Sequence, residues 1–213
     1  KKKFIFPFLL IALSLKFFDN LQNNYFFFKF MELNYIKSAT CEVKSNGVKL
    51  LMDPWILNGE YYGSWFHQNN KDINVKKIQK VNYIYISHIH PDHFSKKSLE
   101  FFNKKKTKII IHKYAKPFLK FAIENLGFKV IELENKKKFY LNKNFFIQIF
   151  AADNCDPVLC AKHFGCEIDK KNLGSNQIDT LAIISNSKKT ILNINDCPYE
   201  MSKQILDQIK IKY

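Results

Sequence analysis

Ser87 to Phe94 reads SHIHPDHF, and three of the chain's six histidines and one aspartate fall within the six positions from His88 to His93. Neutral imidazole and carboxylate are donors that Zn²⁺, Fe²⁺ and Mn²⁺ accept. His88 and His90 are two apart, so in an extended segment their rings point the same way. Asp92 and His93 follow where the chain turns. Four donors so close together can serve two ions a few ångströms apart. Two ions can share one water, lower its pKa and clamp a tetrahedral or phosphoryl transition state. An ordinary polar loop explains a single histidine but not this cluster, so the stretch reads as a metal centre.

Elements that can position this loop lie on both sides of it. Residues 81–87 (VNYIYIS) form a β-rich run that ends where the histidines begin, and residues 95–102 (SKKSLEFF) read as a helix with Ser95 as N-cap. Upstream, residues 31–36, 40–45 and 48–53 read as strands, with a hairpin turn at Asn46-Gly47. Asp53 ends the third strand and opens a loop, DPWILNGEYYGSWFHQ, rich in glycine and aromatics. Downstream come the strand KIIIH, a helix over residues 115–126 that stops at Gly127, and the strands FKVIELE, KFYL and FFIQIFA. A loop over residues 152–178 is too long to be an idle connection. TLAIIS and KTILNIN pair as a hairpin around Asn186-Ser187, and residues 199–209 read as a closing helix. There is no internal repeat. The pattern is an α/β (α+β) domain, with sheets packed face to face and helices outside.

The 213 residues suffice for one sizeable core, and the hydrophobic and charged fractions of 46% and 25% are those of a globular domain. The net charge of +15 comes entirely from lysine, 34 of them without one arginine. Arginine is the preferred side chain for bidentate phosphate and guanine contacts, so the composition counts against a nucleic-acid partner. Lys, Asn, Ile and Phe are abundant together, as expected of AT-rich coding. A weak steering of anionic substrates is compatible with the charge. The five cysteines, Cys41, Cys155, Cys160, Cys166 and Cys197, are odd in number and read as reduced thiols of a cytoplasmic protein. The three central ones lack C-x-x-C spacing and do not form a zinc knuckle.

Residues 1–30 differ in character. KKKFIFPFLLIALSLKFF has a basic start and an apolar run too short to span a bilayer comfortably, and no small-x-small cleavage site follows. The clean alternation begins at Met31. The expectation is that Met31 is the true start and that residues 1–30 are spurious upstream or signal-like sequence. The rival reading is an N-terminal membrane anchor.

His88-x-His90-x-Asp92-His93 after an apolar strand resembles the signature of the metallo-β-lactamase superfamily. The resemblance extends over nearly everything from Met31 onward, including MELNYIKSATCEVKSNGVKLLMDPW and ILNINDC. The DPW loop with its Gly-Ser-Trp resembles a branch with sialic-acid hydroxylase-like and lactonase-like members. The resemblance implies a four-layered αββα sandwich, a dinuclear metal site at one edge, and hydrolysis by a metal-activated water. It implies two divalent ions, zinc first, with iron or manganese as alternatives. Carried over, His88 and His90 bind the first ion, Asp92 and His93 the second, and Asp196 bridges them. A further first-site ligand belongs at the end of the strand FFIQIFA, usually a histidine. Here Asp153 stands near that end and His163 lies within the following loop, and Asp153 is preferred. A further second-site histidine belongs beyond Asp196, yet the residues to Tyr213 contain none. The chain therefore reads as an N-terminal fragment, C-terminally incomplete.

Asp53 reads equally as an acceptor orienting a ligand imidazole or as a turn residue before Pro54. His67 reads as a loop histidine, with substrate contact as the alternative, and His112 as a strand-end residue. Trp55, Trp65, Tyr61 and Tyr62 can wall a pocket or belong to the core. The function expected is metal-dependent hydrolysis of a small, anionic molecule such as a lactone, phosphoester or sugar derivative, with Asp92 orienting the water. The alternatives are a nuclease of the same fold and a non-catalytic metal-binding scaffold.

Overall fold

The computed structural model describes residues 12–13, 31–67, 75–114, 116–151, 179–197, 202–203 and 206–207. One sheet has six strands in the order β2 (Met31–Lys37), β3 (Thr40–Ser45), β4 (Val48–Met52), β5 (Tyr83–Tyr85), β6 (Lys108–His112) and β7 (Lys129–Leu133). The other has five: β1 (Ala12–Leu13), β11 (Thr190–Asn193), β10 (Thr180–Asn186), β9 (Phe145–Ala151) and β8 (Lys138–Asn142). The pairing of β1 with β11 is antiparallel, and the sequence pattern of residues 1–30 gave no reason to expect it.

Alternation of side chains builds the layers. In the six-stranded sheet, Leu50, Met52, Tyr85 and Ile110 face the other sheet, where they meet Phe145, Ile147, Ile149, Ala182 and Ile184. The intervening residues Leu51, Ile84, Ile86, Ile109 and Ile111 face outward and are covered by Leu99, Phe102, Leu119, Ile123 and Phe128. Each such side chain contributes roughly 1.5–3 kcal/mol when fully buried. Phe150, Leu181, Ile183 and Leu192 form a smaller cluster with Cys197 and the partly buried Leu206.

Helices are shorter than their sequence patterns. The helix expected over residues 95–102 spans Lys96–Leu99, with Ser95 as its N-cap accepting from the Ser98 backbone N–H. The helix expected over residues 115–126 spans Phe118–Asn125, because Pro117 stands at its N-cap, and the chain turns at Gly127 with φ +88°. Residues 202–203 and 206–207 are helical, within the closing helix expected over residues 199–209. No described helix is long and apolar enough to cross a membrane.

Topology brings the functional loops to one edge. β4, β5, β6 and β7 are parallel neighbours. Met52 is in register with Tyr85, so the residues after both strands emerge side by side. In the other sheet, antiparallel pairing sets Thr180 opposite Ala151 and Ala182 opposite Asn193. The start of β10 thus lies beside the ends of both β9 and β11.

Candidate metal centre

Asp53 is where the site is anchored. It leaves β4 fully buried with φ +44°, a left-handed conformation that Asp tolerates better than most residues. Its Oδ1 accepts from the Ser87 backbone N–H at 2.8 Å, and its Oδ2 from the Ser87 hydroxyl at 2.9 Å. The same Oδ2 is 3.0 Å from Nδ1 of His93. The Ser87 oxygen is in turn 2.9 Å from Nδ1 of His88. With both Nδ1 atoms turned into this network, Nε2 of each ring faces the cluster, free to bind an ion once that nitrogen is deprotonated. This outer support is the arrangement that orients metal-binding histidines. Of the two readings of Asp53, geometry supports the orienting acceptor.

The donors converge as follows. His88 Nε2 is 2.9 Å from His90 Nδ1, and 3.8 Å from both Asp179 Oδ1 and Asp196 Oδ2. His93 Nε2 is 3.2 Å from the same Asp196 oxygen and 3.5 Å from Asp92 Oδ2. Two donor groups result, His88–His90–Asp179 and His88–His93–Asp196, each with its ligand atoms within 4.8 Å of one another. Asp196 follows β11 after Asn195, whose φ of +53° turns the chain and whose amide donates to the Thr180 carbonyl.

Charge shapes the titration. Burial alone pushes the His93 imidazole down, but the Asp53 and Asp196 carboxylates override it and raise its pKa to about 10. His88 moves the opposite way, down to about 3, through burial and then the neighbouring His93 and His90. Asp179 is pushed up to about 6 by burial and by Asp196.

Asp92 Oδ1 accepts from the Tyr61 hydroxyl at 3.0 Å. Tyr61 belongs to a tight turn in which Gly59, Tyr61, Tyr62 and Gly63 all have positive φ. Glu60 fastens that turn by accepting from the Ser95 hydroxyl, and the Ser98 hydroxyl oxygen accepts from the Ile56 and Leu57 backbones. Tyr61 packs on Trp65, with ring centroids 4.4 Å apart. Of the four aromatics read as pocket wall or core, Trp55 is buried, Tyr62 and Trp65 are exposed, and Tyr61 reaches the cluster.

His67 is a correction. It is buried rather than on a loop surface, with its ring between the Ser38 hydroxyl and the Trp55 carbonyl and stacked on Trp55 at 4.0 Å. It secures the aromatic loop and takes no part in the donor groups. Asp153, His163, Cys155, Cys160 and Cys166 lie outside the described residues. Asp179 is the residue that sequence reasoning missed. The ligand was sought after the strand ending at Ala151, and Asp179 occupies that same edge from the neighbouring strand. The signal in the sequence was a carboxylate directly before the apolar run TLAIIS.

These donors fit a divalent cation pair: three imidazoles and three carboxylates, one of which, Asp179, has a buried oxygen with no hydrogen-bond partner. Residues 32–161 match the family described as beta-lactamase superfamily domain. The chain belongs to that superfamily. Cytidine monophosphate-N-acetylneuraminic acid hydroxylase of Danio rerio is 32% identical over 82 residues, covering 38% of this chain and 14% of the hydroxylase. A protein described as a possible metal-dependent hydrolase of Veillonella parvula superposes with a TM-score of 0.64 at 13% identity, covering 84% of this chain and 68% of that one. The diiron beta-hydroxylase CmlA of Streptomyces venezuelae does so with 0.58 at 16% identity, covering 85% and 33%. The chain spans about a fifth or less of the length of the curated relatives it matches. The superfamily membership accounts for the mixed sheets, and the structural neighbours share its fold.

Proposed function

We propose that this domain is a metal-dependent hydrolase acting on a small anionic substrate. The observation that carries the reading is the paired donor groups joined through His88 and faced by Asp196. His88 and His90 would hold a first divalent ion, Asp92 and His93 a second, and Asp196 would lie between them. Zinc, iron and manganese are all compatible with imidazole and carboxylate donors, zinc being the first expectation. Bound there, two divalent ions would activate a water for attack. Asp53 and Ser87 keep the imidazoles turned toward the ions. Asp92, held by Tyr61, sits at the cluster's rim, where its carboxylate can orient the attacking water and accept its proton.

The experiment is metal analysis of the purified chain, followed by a hydrolysis screen over lactones, phosphoesters and sugar derivatives with and without EDTA. The expected result is a bound transition metal and EDTA-sensitive hydrolysis. Protein without metal, or activity indifferent to EDTA, overturns the reading. A second reading, an iron-dependent hydroxylase, draws on the names of two of the relatives. Iron as the native metal, with no hydrolysis in the screen, favours it. The slope of nucleic-acid affinity against salt tests a nuclease.

A further inference from the structure

Asp179 is a partly buried carboxylate with one buried oxygen that has no hydrogen-bond partner. Asp53, fully buried at the same edge, accepts from the Ser87 backbone, the Ser87 hydroxyl and the His93 ring, and so organises its surroundings. Among the described residues, Asp179 organises nothing of that kind. Its Oδ1 is shut off from solvent and takes no hydrogen bond. An ionised carboxylate is costly to bury unpaired, and such groups are kept where they meet a cation. The groups that face it are His88, with Nε2 at 3.8 Å, His90, and the like-charged Asp196. Its backbone is fixed by β10, since the adjacent Thr180 donates to the Ser87 carbonyl at 2.8 Å. The carboxylate is therefore held against the two histidines by the strand itself.

We propose that Asp179 is the third donor to the first metal, with His88 Nε2 and His90 Nδ1, in place of a third imidazole. This rests on the metal-centre reading above. Two consequences follow from the chemistry of the donors. Asp92, Asp179 and Asp196 together supply three negative charges against the four positive charges of two divalent ions. The excess of one is what one hydroxide from the activated water, or one anionic group of a substrate in its place, balances; a neutral donor at position 179 would leave an excess of two. Second, two imidazoles and one carboxylate with open positions form a donor set that suits ferrous iron. The first site should therefore accept Fe²⁺ alongside Zn²⁺.

The test compares the wild-type chain with Asp179→Ala, Asp153→Ala and His163→Ala. Ions bound are counted by chelator competition with Zn²⁺, and with Fe²⁺ under anaerobic conditions. The melting temperature of each metal-free protein is recorded alongside. Asp179→Ala is expected to weaken one of two bound ions by more than about 100-fold, beyond what loss of an outer support costs. Its metal-free form is expected to melt at or above wild type, because an unpaired buried charge is gone. A lower melting temperature would make Asp179 a structural residue and overturn the proposal. Wild-type affinity in Asp179→Ala, or a loss that follows Asp153→Ala or His163→Ala instead, also overturns it. Wild type that binds no ion overturns the metal-centre reading itself, a separate result.

Discussion

His88 and His93 come from the six-stranded sheet, with side chains 0% and 2% exposed, and each has its inner ring nitrogen tied to Ser87 or Asp53. Asp179 and Asp196 come from the five-stranded sheet, with side chains 26% and 46% exposed. Neither has a comparable anchor among the described residues. The imidazole half is set by the fold, whereas the carboxylate half carries charge that the fold uses only where Asp196 meets His93. Stability and metal affinity should therefore separate between the two halves.

The largest effect expected is from His88→Ala. It should reduce metal affinity by well over 100-fold, since it removes a donor shared by both groups. Equilibrium dialysis against zinc measures it, and near-normal binding would break the comparison at its centre. Asp53→Ala should be next, because it acts on both quantities. It leaves Ser87 and His93 without their buried acceptor, at a cost of about 3–5 kcal/mol by the rule for breaking buried charged pairs, and lowers metal affinity about 10–100-fold. Asp196→Asn should lower affinity at least as much, while destabilising the metal-free protein by less than Asp53→Ala, since it weakens one charged hydrogen bond to His93 at a half-exposed carboxylate, worth about 1.5–3 kcal/mol at most. Equal destabilisation by the two variants would show that both halves are structural.

A smaller effect separates the halves by pH. The folded-state pKa of His93 lies at about 10, above its usual 6.5. Its contribution is thus fully present below 6.5 and is lost as pH rises through about 10. Metal-free protein should weaken over that window in denaturant titrations, and Asp53→Asn should flatten the decline. Zinc binding at pH 8 should release a proton from His93, visible as a buffer-dependent binding enthalpy. The smallest effect expected is from Tyr61→Phe, which removes one hydrogen bond to Asp92 at the partly exposed rim. A loss of about tenfold in affinity for the second ion is expected, the low end for an outer support. No change in stoichiometric titrations would detach the aromatic turn from the centre.

The imidazole half was legible because its donors are contiguous and the strand and capped helix around them are local features. Ser95 capped its helix as read, and the turn at Asn46-Gly47 has the positive φ values its sequence suggested. Asp53 remained undecided because its role depends on β4 and β5 being parallel and in register, which no local pattern encodes. Asp179 was missed for the same reason, since antiparallel pairing with β9 delivers it to the edge. His67 was misplaced because a histidine among aromatics looks like a loop tip until its stacking partner Trp55 is known.

Behind His88, the Ser87 carbonyl accepts from Tyr114 at 2.6 Å and from Thr180 at 2.8 Å, while the Thr180 and Tyr85 hydroxyls are 2.6 Å apart. This cluster bolts one sheet to the other directly beneath the donors. On the ribosome, the histidine loop emerges long before Thr180, Asp179 and Asp196. A nascent chain therefore offers any passing cation only the imidazole half. Full coordination waits until the second sheet has been made and has docked on the first, because Asp179 and Asp196 both arrive with it.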